Sequence, residues 1–434
     1  MRLRWVLRGL ALAAVAFGLA QTAEAAPQQP ASPPPAQPAP APAPPRVVAG
    51  QDGIAIESGD GEFRLQIGVL AHVDGRFTPG DENEQVIDTF AVRRLRPYFR
   101  GRLGRRFEFY VNPDFSGSTL VVQDAYIDTI FSPAFRIRAG KGKTPFGFER
   151  LHSASNMLFF ERGAPTALAP NRDIGFQALG ELYGGRVVYL AGVMNGVADG
   201  GSSDVEVNDG KDVAGRIVVR PFSKGIPATG VTRGLAFGLS GSRGAAAGTS
   251  ALPTFRTQTT QTPFFSYVTG ATPAVADGIR TRYSPSVWYL SGPFAGWTEY
   301  VHTKVPVRRG DLVHDVNHDA WQVAGSWVLT GEPASDAAAG VRPRNNFNFG
   351  NGHWGAFQVA ARYHVLKADA ETVALGLATP GSSRKVNAWT LGFRWYVTGN
   401  LWYTFNFERA VFDDDADGPR RAENGLAFRT QIYF

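Results

Sequence analysis

The chain has 434 residues, no cysteine and a formal charge of +6. Its 50 glycines, 9 tryptophans and 12% aromatic content are high for a soluble domain, and its 19% charged content falls below the typical ~25%. A disulfide scaffold is excluded. A transmembrane helix after the N-terminal segment is excluded too, because no stretch there approaches 18 uninterrupted apolar residues.

In chain order, residues 1–25 read as a secretory signal. Arg2, Arg4 and Arg8 form a basic start, Gly9 to Ala20 an apolar run, and Ala23-Glu24-Ala25 a small-residue cleavage site leaving Ala26 as the mature start. The competing reading, a membrane anchor, needs ~20 apolar residues, more than this run supplies. Without the segment's three Arg and one Glu the charge falls to about +4. Residues 26–46 are almost wholly Ala, Pro and Gln, a composition that buries no core and suits an extended, semi-rigid periplasmic tether. The tether is drawn through residue 59 and a single barrel domain over 60–434.

From Phe63 the chain has period two. Phe63, Leu65, Ile67, Val69, Ala71 and Val73 alternate with Arg64, Gln66, Gly68, Leu70, His72 and Asp74, a strand with one oily and one largely polar face. The pattern returns at Trp389, Leu391, Phe393 and Trp395, and again at Leu401, Tyr403, Phe405 and Phe407. Sixteen strands are predicted, starting near residues 62, 89, 106, 120, 134, 174, 186, 213, 233, 280, 294, 319, 354, 386, 401 and 424. Long connections near 78–88, 143–173, 196–211, 244–279, 304–318, 367–385 and 411–423 alternate with tight ones such as Gly104-Arg105, Ser132-Pro133, Gly184-Gly185, Gly292-Pro293 and Gly399-Asn400. Long loops outside and short turns inside are the signature of an outer-membrane barrel. The connection 331–352 is long where a short turn is expected, and a further strand pair could lie there. The last strand ends on Phe434, like the C-terminal signal read by barrel-assembly machinery.

The strand Phe90–Leu103 is the most informative. Arg94, Arg96, Arg100 and Arg102 share its even face with Val92 and Tyr98, whereas Arg93, Leu95, Pro97, Phe99 and Leu103 share the odd face. Turning the even face to lipid would cost ~2–4 kcal/mol per arginine at midplane, so it must line a wet interior. The same alternation places Arg136, Arg138, Arg216, Arg220, Arg280, Arg282, Arg362, Arg394 and Arg429 inside, with acidic Glu108, Asp124, Asp128 and Glu408. The lumen is therefore mixed. Only seven of the 44 basic residues are lysine, a bias that a high-GC genome would also produce. Residues two apart on a strand lie ~6.7 Å apart, less than the ~8 Å Debye length, so an anion leaving one guanidinium already feels the next, as weak multi-site conduction requires.

Several segments together resemble the phosphate-selective porins of the O and P type. They are Phe90-Ala-Val-Arg93-Arg94-Leu-Arg96 with Phe99-Arg-Gly-Arg-Leu103; Asp124-Ala-Tyr-Ile-Asp128; Gly140-Lys141-Gly142-Lys143-Thr-Pro145-Phe146-Gly147-Phe-Glu149; Phe160-Glu161-Arg162; and Asn171-Arg172-Asp173-Ile-Gly175. Asn208-Asp209 with Lys211-Asp212, and Thr330-Gly331-Glu332 before Trp354-Gly355-Ala356, also correspond. The resemblance implies an all-β transmembrane antiparallel barrel of about 16 strands, a homotrimer in the Gram-negative outer membrane. It also implies a third loop, about 143–173, folded inward as the constriction. Lys143 takes the place of the family's lysine at the end of the fifth strand, and Arg162 that of its loop arginine. The chain departs from the family at Lys141, where glutamine is common, at Gly142, where a large residue is usual, and in its Pro-rich tether. The expected function is passive diffusion of anions, phosphate or polyphosphate, along Arg94, Arg96, Arg100, Arg102, Arg136, Arg138, Lys141, Lys143, Arg162, Arg216 and Arg220. No cofactor is expected, and inorganic phosphate, membrane lipid and the assembly machinery, not nucleic acid, are the expected partners. The alternatives are a porin of other substrate range, and a plugged barrel serving as receptor or adhesin.

Other constellations are weaker. His314 and His318 could hold a metal only if helical, and they fall in a predicted loop. Asp413, Asp415 and Asp417 imitate a calcium loop but lack glutamate at position twelve. His72 with Asp74 faces the lumen without a nucleophile, and G-x-S-x-G, H-E-x-x-H and phosphate-loop motifs do not occur, so an enzyme is not expected.

Overall fold

Strict apolar/polar alternation with few charges on one face leaves each strand one partner layer, lipid or its equivalent, and one wet side. Closing the sheet on itself satisfies every strand edge. A computed structural model describes residues 44–434 apart from 81–85, 207, 223–233, 251, 337, 414–419 and the side chains of 247–250. The expected signal segment, most of the tether, and Asp415 and Asp417 of the calcium-like run lie outside the described residues.

The strands are β1 (Arg46–Gly50), β2 (Gly53–Glu57), β3 (Phe63–Phe77), β4 (Thr89–Leu103), β5 (Phe107–Asp114), β6 (Val121–Ser132), β7 (Phe135–Lys143), β8 (Arg172–Leu182), β9 (Val187–Met194) and β10 (Asp212–Val219). They continue with β11 (Leu235–Ser250), β12 (Phe255–Arg256), β13 (Pro263–Phe265), β14 (Val275–Ser291), β15 (Phe294–Arg309), β16 (Leu312–Val328), β17 (Ala356–Lys367), β18 (Lys385–Tyr396), β19 (Leu401–Phe412) and β20 (Glu423–Tyr433). Among the described residues, β3–β11 and β14–β20 form a closed antiparallel ring of sixteen strands, sealed where β20 pairs with β3 from Leu426↔Phe77 to Tyr433↔Leu70. Below that seam β2 takes over the same edge of β3, pairing Ile54↔Ile67 to Glu57↔Arg64. The tract expected as tether through residue 59 therefore gives way to a hairpin at Arg46. Phe434 is tied to β3 through backbone bonds with Val69 in both directions.

Three connections differ from expectation. Residues 304–318 are not a loop: β15 and β16 run on to a tight turn, pairing Arg309↔Leu312. His314 and His318 therefore sit four apart on a strand, ~13 Å, too far for one metal ion. The stretch 244–279 contains the rest of β11, the small β12–β13 hairpin and the start of β14. Among its described residues the long connection 331–352 carries no strand pair; it turns back into the barrel. Its Ala334 and Val341 pack with Val328, Ala356, Tyr396 and Trp402, and a short helical turn spans Phe349–Asn351.

On the outer face, Trp321 and Tyr363 (5.5 Å between ring centres) and Trp389 and Phe407 (5.2 Å) form one aromatic belt. Phe294 and Trp327 (5.9 Å) and Trp395 and Tyr403 (5.7 Å) form another. On β16 and β18 the belts are six residues apart, about 20 Å along the strand, and they enclose exposed Val323, Leu391 and Phe393. An apolar band between aromatic girdles is the lipid-facing surface of a membrane barrel. Beyond the upper belt the outward groups become ion pairs, Lys304–Asp315 at 2.8 Å and Arg308–Asp277 at 2.6 Å. Leu391→Arg places a cation mid-band and should lower stability in lipid vesicles by about 2–4 kcal/mol; urea titration checks this.

Candidate functional site

The segment 144–171 leaves β7, crosses the lumen as three short helical turns, Glu149–Leu151, Ala154–Asn156 and Ala164–Ala167, and returns as β8. Its apolar residues face one side of the barrel. Phe146, Ala164, Leu168 and Ala169 join a core with Val301, Val305, Val316, Ala320 and Leu366. Each large side chain so buried contributes on the order of 1.5–3 kcal/mol. A second segment, 252–268, folds into the same core through Phe255, Phe264, Phe265 and Tyr267. The lumen is thus filled along β14–β18 and open along β4–β10.

Carboxylates and guanidinia hold both segments. Glu299 of β15 accepts the backbone N–H of Phe148 (2.6 Å) and of Glu149 (3.2 Å). Glu408 of β19 accepts those of Gln258 (3.1 Å) and Thr259 (3.0 Å). Gly147 sits at φ +75, and a Cβ there would come within 3.0 Å of Glu299 Oε1, which explains glycine in the Pro-Phe-Gly motif. The returning limb is gripped by wall arginines. Arg394 donates to the carbonyl of Met157, Arg429 to Phe160 (2.7 Å) and Arg362 to Glu161 (2.9 Å). Arg362 also stacks over Phe159 and Arg429 over Phe160. Glu161 itself meets Arg93 (2.9 Å), Arg94 (3.0 Å), Arg76 (3.6 Å) and Arg429 (3.6 Å).

Arg93 was expected on the oily face. A β-bulge on β4, between the pairs His72↔Arg94 and Val73↔Val92, turns Arg93 inward beside Arg94 and leaves Val92 exposed outside. An extra residue on one strand rotates the side chains that follow it, and residue alternation carries no trace of where it falls.

The open side of the lumen holds two cavities. The outer one, about 620 Å³, is lined by eight basic residues, Arg93, Arg94, Arg96, Lys141, Arg150, Arg162, Arg172 and Arg256, against three acidic ones, Glu161, Asp199 and Asp204. The inner, periplasmic-side one, about 430 Å³, has six, Arg96, Arg100, Arg138, Lys143, Arg172 and Arg216, against Asp124 alone. Arg96 and Arg172 line both and mark the boundary between them. Each is oriented by a carboxylate: Arg96 by Asp114 (2.7 Å), Arg172 by both oxygens of Asp124 (3.1 and 3.0 Å). Burial, reinforced by Arg162 and Arg172, pulls Arg150 downward, but a guanidinium stays charged at neutral pH.

Residues 64–434 match the sequence family described as phosphate-selective porin O and P. The chain belongs to that family. Among solved structures it is similar to a loop-deletion mutant of OmpT, an outer membrane protein of Vibrio cholerae, at 11% identity and TM-score 0.54, covering 86% of this chain and 100% of that one. It is also similar to Salmonella typhi OmpF, solved with daunomycin, at 9% identity and TM-score 0.50, covering 86% and 98%. These likenesses show the fold alone. No curated protein matches the sequence. Family and fold are those of an outer-membrane porin.

Of the eleven expected lining residues in this porin, eight line the two cavities: Arg94, Arg96, Arg100, Arg138, Lys141, Lys143, Arg162 and Arg216. The other three lie toward the periplasmic ends of their strands. Arg102 bonds the carbonyl of Gly61, Arg136 sits 4.0 Å from Asp128, and Arg220 donates to the carbonyl of Gly185 (3.3 Å). Lys141 is paired with Asp204. Lys143 donates to the carbonyls of Leu151 (3.0 Å) and His152 (2.6 Å), and Arg162 to those of Glu149 (3.1 Å) and His152 (2.8 Å), so both brace the constriction, and the Arg162 guanidinium keeps its charge beside the passage. The sequence reading left Arg93, Arg150, Arg172 and Arg256 out of the lining set. Arg172 stood inside a quoted motif and could have been found there. His72 does face the lumen, where its Nδ1 meets Arg94 at 3.1 Å.

Burial alone would raise the Glu161 carboxyl, but Arg94, Arg93, Arg429 and Arg76 outweigh it and hold it well below the usual range. A depressed carboxyl stabilises the fold fully above its unfolded value, near 4.3, and loses that contribution as pH falls through the folded one. Glu161→Gln should cost about 3–5 kcal/mol at neutral pH. In denaturant titrations the gap to wild type should hold down to about pH 4.5 and close only below it.

Proposed function

We propose that this porin passes anions by diffusion, with phosphate or polyphosphate as preferred cargo. The observation that carries the reading is the charge surplus in both cavities, eight basic residues against three acidic and six against one. The acids that line them are engaged: Glu161, Asp199 and Asp124 by arginine and Asp204 by Lys141. Arg100, Lys143, Arg150, Arg162 and Arg216 have no carboxylate within 4.0 Å among the described residues. The four guanidinium charges among them are offered to the passage. A unit-charge contact at ~4 Å is worth ~1 kcal/mol in bulk water and ~4 kcal/mol at an effective dielectric of 20, enough to favour anions without trapping them across several sites. The signal segment, the homotrimer and reading of Phe434 by the assembly machinery belong to the same proposal.

In a salt gradient across a planar bilayer, the reversal potential should fall on the anion side, and a cation preference overturns the reading. Arg100→Glu touches neither inward segment. It should reduce the anion-to-cation permeability ratio severalfold, and inorganic phosphate should block chloride current less strongly than in wild type.

A further inference from the structure

The wall of the inner cavity carries a feature for which passage of bare inorganic anions has no use. Tyr433 of β20, Tyr98 of β4, Tyr110 of β5 and Tyr126 of β6 all line it. Their rings form one continuous row, with centres 6.0 Å apart from Tyr433 to Tyr98, 6.1 Å to Tyr110 and 5.6 Å to Tyr126. The row crosses β3 because Gly68 is the residue paired with Tyr98. A Cβ on Gly68 would stand 2.3 Å from the Tyr98 ring, so glycine at that position lets the ring lie flat over the strand and reach Tyr433. Guanidinia are interleaved with the rings. Arg100 lies 5.6 Å from the centre of Tyr98 and 5.7 Å from that of Tyr110, and Arg138 lies 3.7 Å over Tyr126. Both oxygens of Asp128 hold Arg138 in that pose (2.7 and 2.8 Å).

Tyr98 is buried at 4% exposure, while Tyr110, Tyr126 and Tyr433 keep part of their surface open to the cavity, and a charge ladder alone does not require such a row. Aromatic faces and guanidinium planes do share one property: both stack flat rings. The guanidinium edges left over donate to phosphate oxygens. Together they match a molecule with a flat aromatic body and an anionic head, and a cavity of about 430 Å³ has room for one.

We propose that this tyrosine–arginine belt is a recognition site for phosphate monoesters bearing an aromatic ring, with the ring on the tyrosines and the phosphate on Arg100 and Arg138. The proposal rests on the anion-porin reading and adds a substrate class to it. The test compares phenyl phosphate, methyl phosphate and inorganic phosphate as blockers of chloride current through the full-length protein in planar bilayers. Phenyl phosphate should reach half-block at a concentration at least fivefold below methyl phosphate. In the Tyr110→Leu/Tyr126→Leu double variant that ratio should fall toward one. Equal block by the two esters in the wild-type channel overturns the proposal without any variant, as does a ratio that the double variant leaves unmoved. If inorganic phosphate also fails to block and the channel prefers cations, the parent reading has failed; if inorganic phosphate blocks but the ring makes no difference, only the belt has.

Discussion

Guanidinium groups on the barrel wall donate to the carbonyls and carboxylate of the loop that enters the lumen, and so fix where its returning limb lies. Backbone crossing a half-desolvated space carries polar groups that must be paired. Residues 157–162 find their partners in Arg394, Arg429, Arg362, Arg94 and Arg93. Charge-assisted bonds are roughly twice as strong as neutral ones, and the low local dielectric strengthens them further. Remove that set and the apolar residues of the segment still favour burial, but nothing defines where the limb lies or how wide a passage it leaves.

The proposed selectivity follows from how the charges are distributed between two tasks. A lumen lined by both signs would have no preference if every group faced water alike. Here the wall carboxylates Glu299 and Glu408 each clamp two backbone N–H groups, and Glu161 is enclosed by four arginines. The acidic side of the balance is largely engaged in building the constriction, which leaves several cations unpaired along the open wall. The long periplasmic connection takes part from below: Asn156 donates to the carbonyl of Ser335 and Ser155 to that of Ala338, both at 2.7 Å. The constriction is thereby supported from the periplasmic end as well as from the wall.

Much of this was legible beforehand, and the misses share a cause. Sixteen ring strands, most of their starts and five tight turns could be read from alternation and from Gly, Pro and Asn pairs, because both signals are local; the starts expected near 280 and 319 fall at Val275 and Leu312. The inward face of β4 was legible from the cost of arginine in lipid, yet its upper end was not. The bulge that exchanges Arg93 for Val92 depends on pairing with β3, whose partners at the bulge, His72 and Val73, lie 22 and 19 residues away in sequence. The extended β15–β16 hairpin was taken for a loop because its outward face above the membrane is charged, and charge there carries no penalty. Arg362, Arg394 and Arg429 could be placed inside by parity, but nothing in their neighbourhood says they serve a distant loop rather than an anion.

The amino-acid sequence by itself determined a closed sheet with an oily outside and a wet, arginine-rich inside of mixed sign, since period-two alternation and the lipid cost of arginine act within a single strand. Only the tertiary structure decided which of those charges remain available, because each pairing joins segments tens to hundreds of residues apart. Arg94 with Glu161, Arg429 with Asp74 and Gln322 with Glu149 are set by which strands neighbour one another and by where a folded loop comes to rest, and neither is encoded in any local pattern.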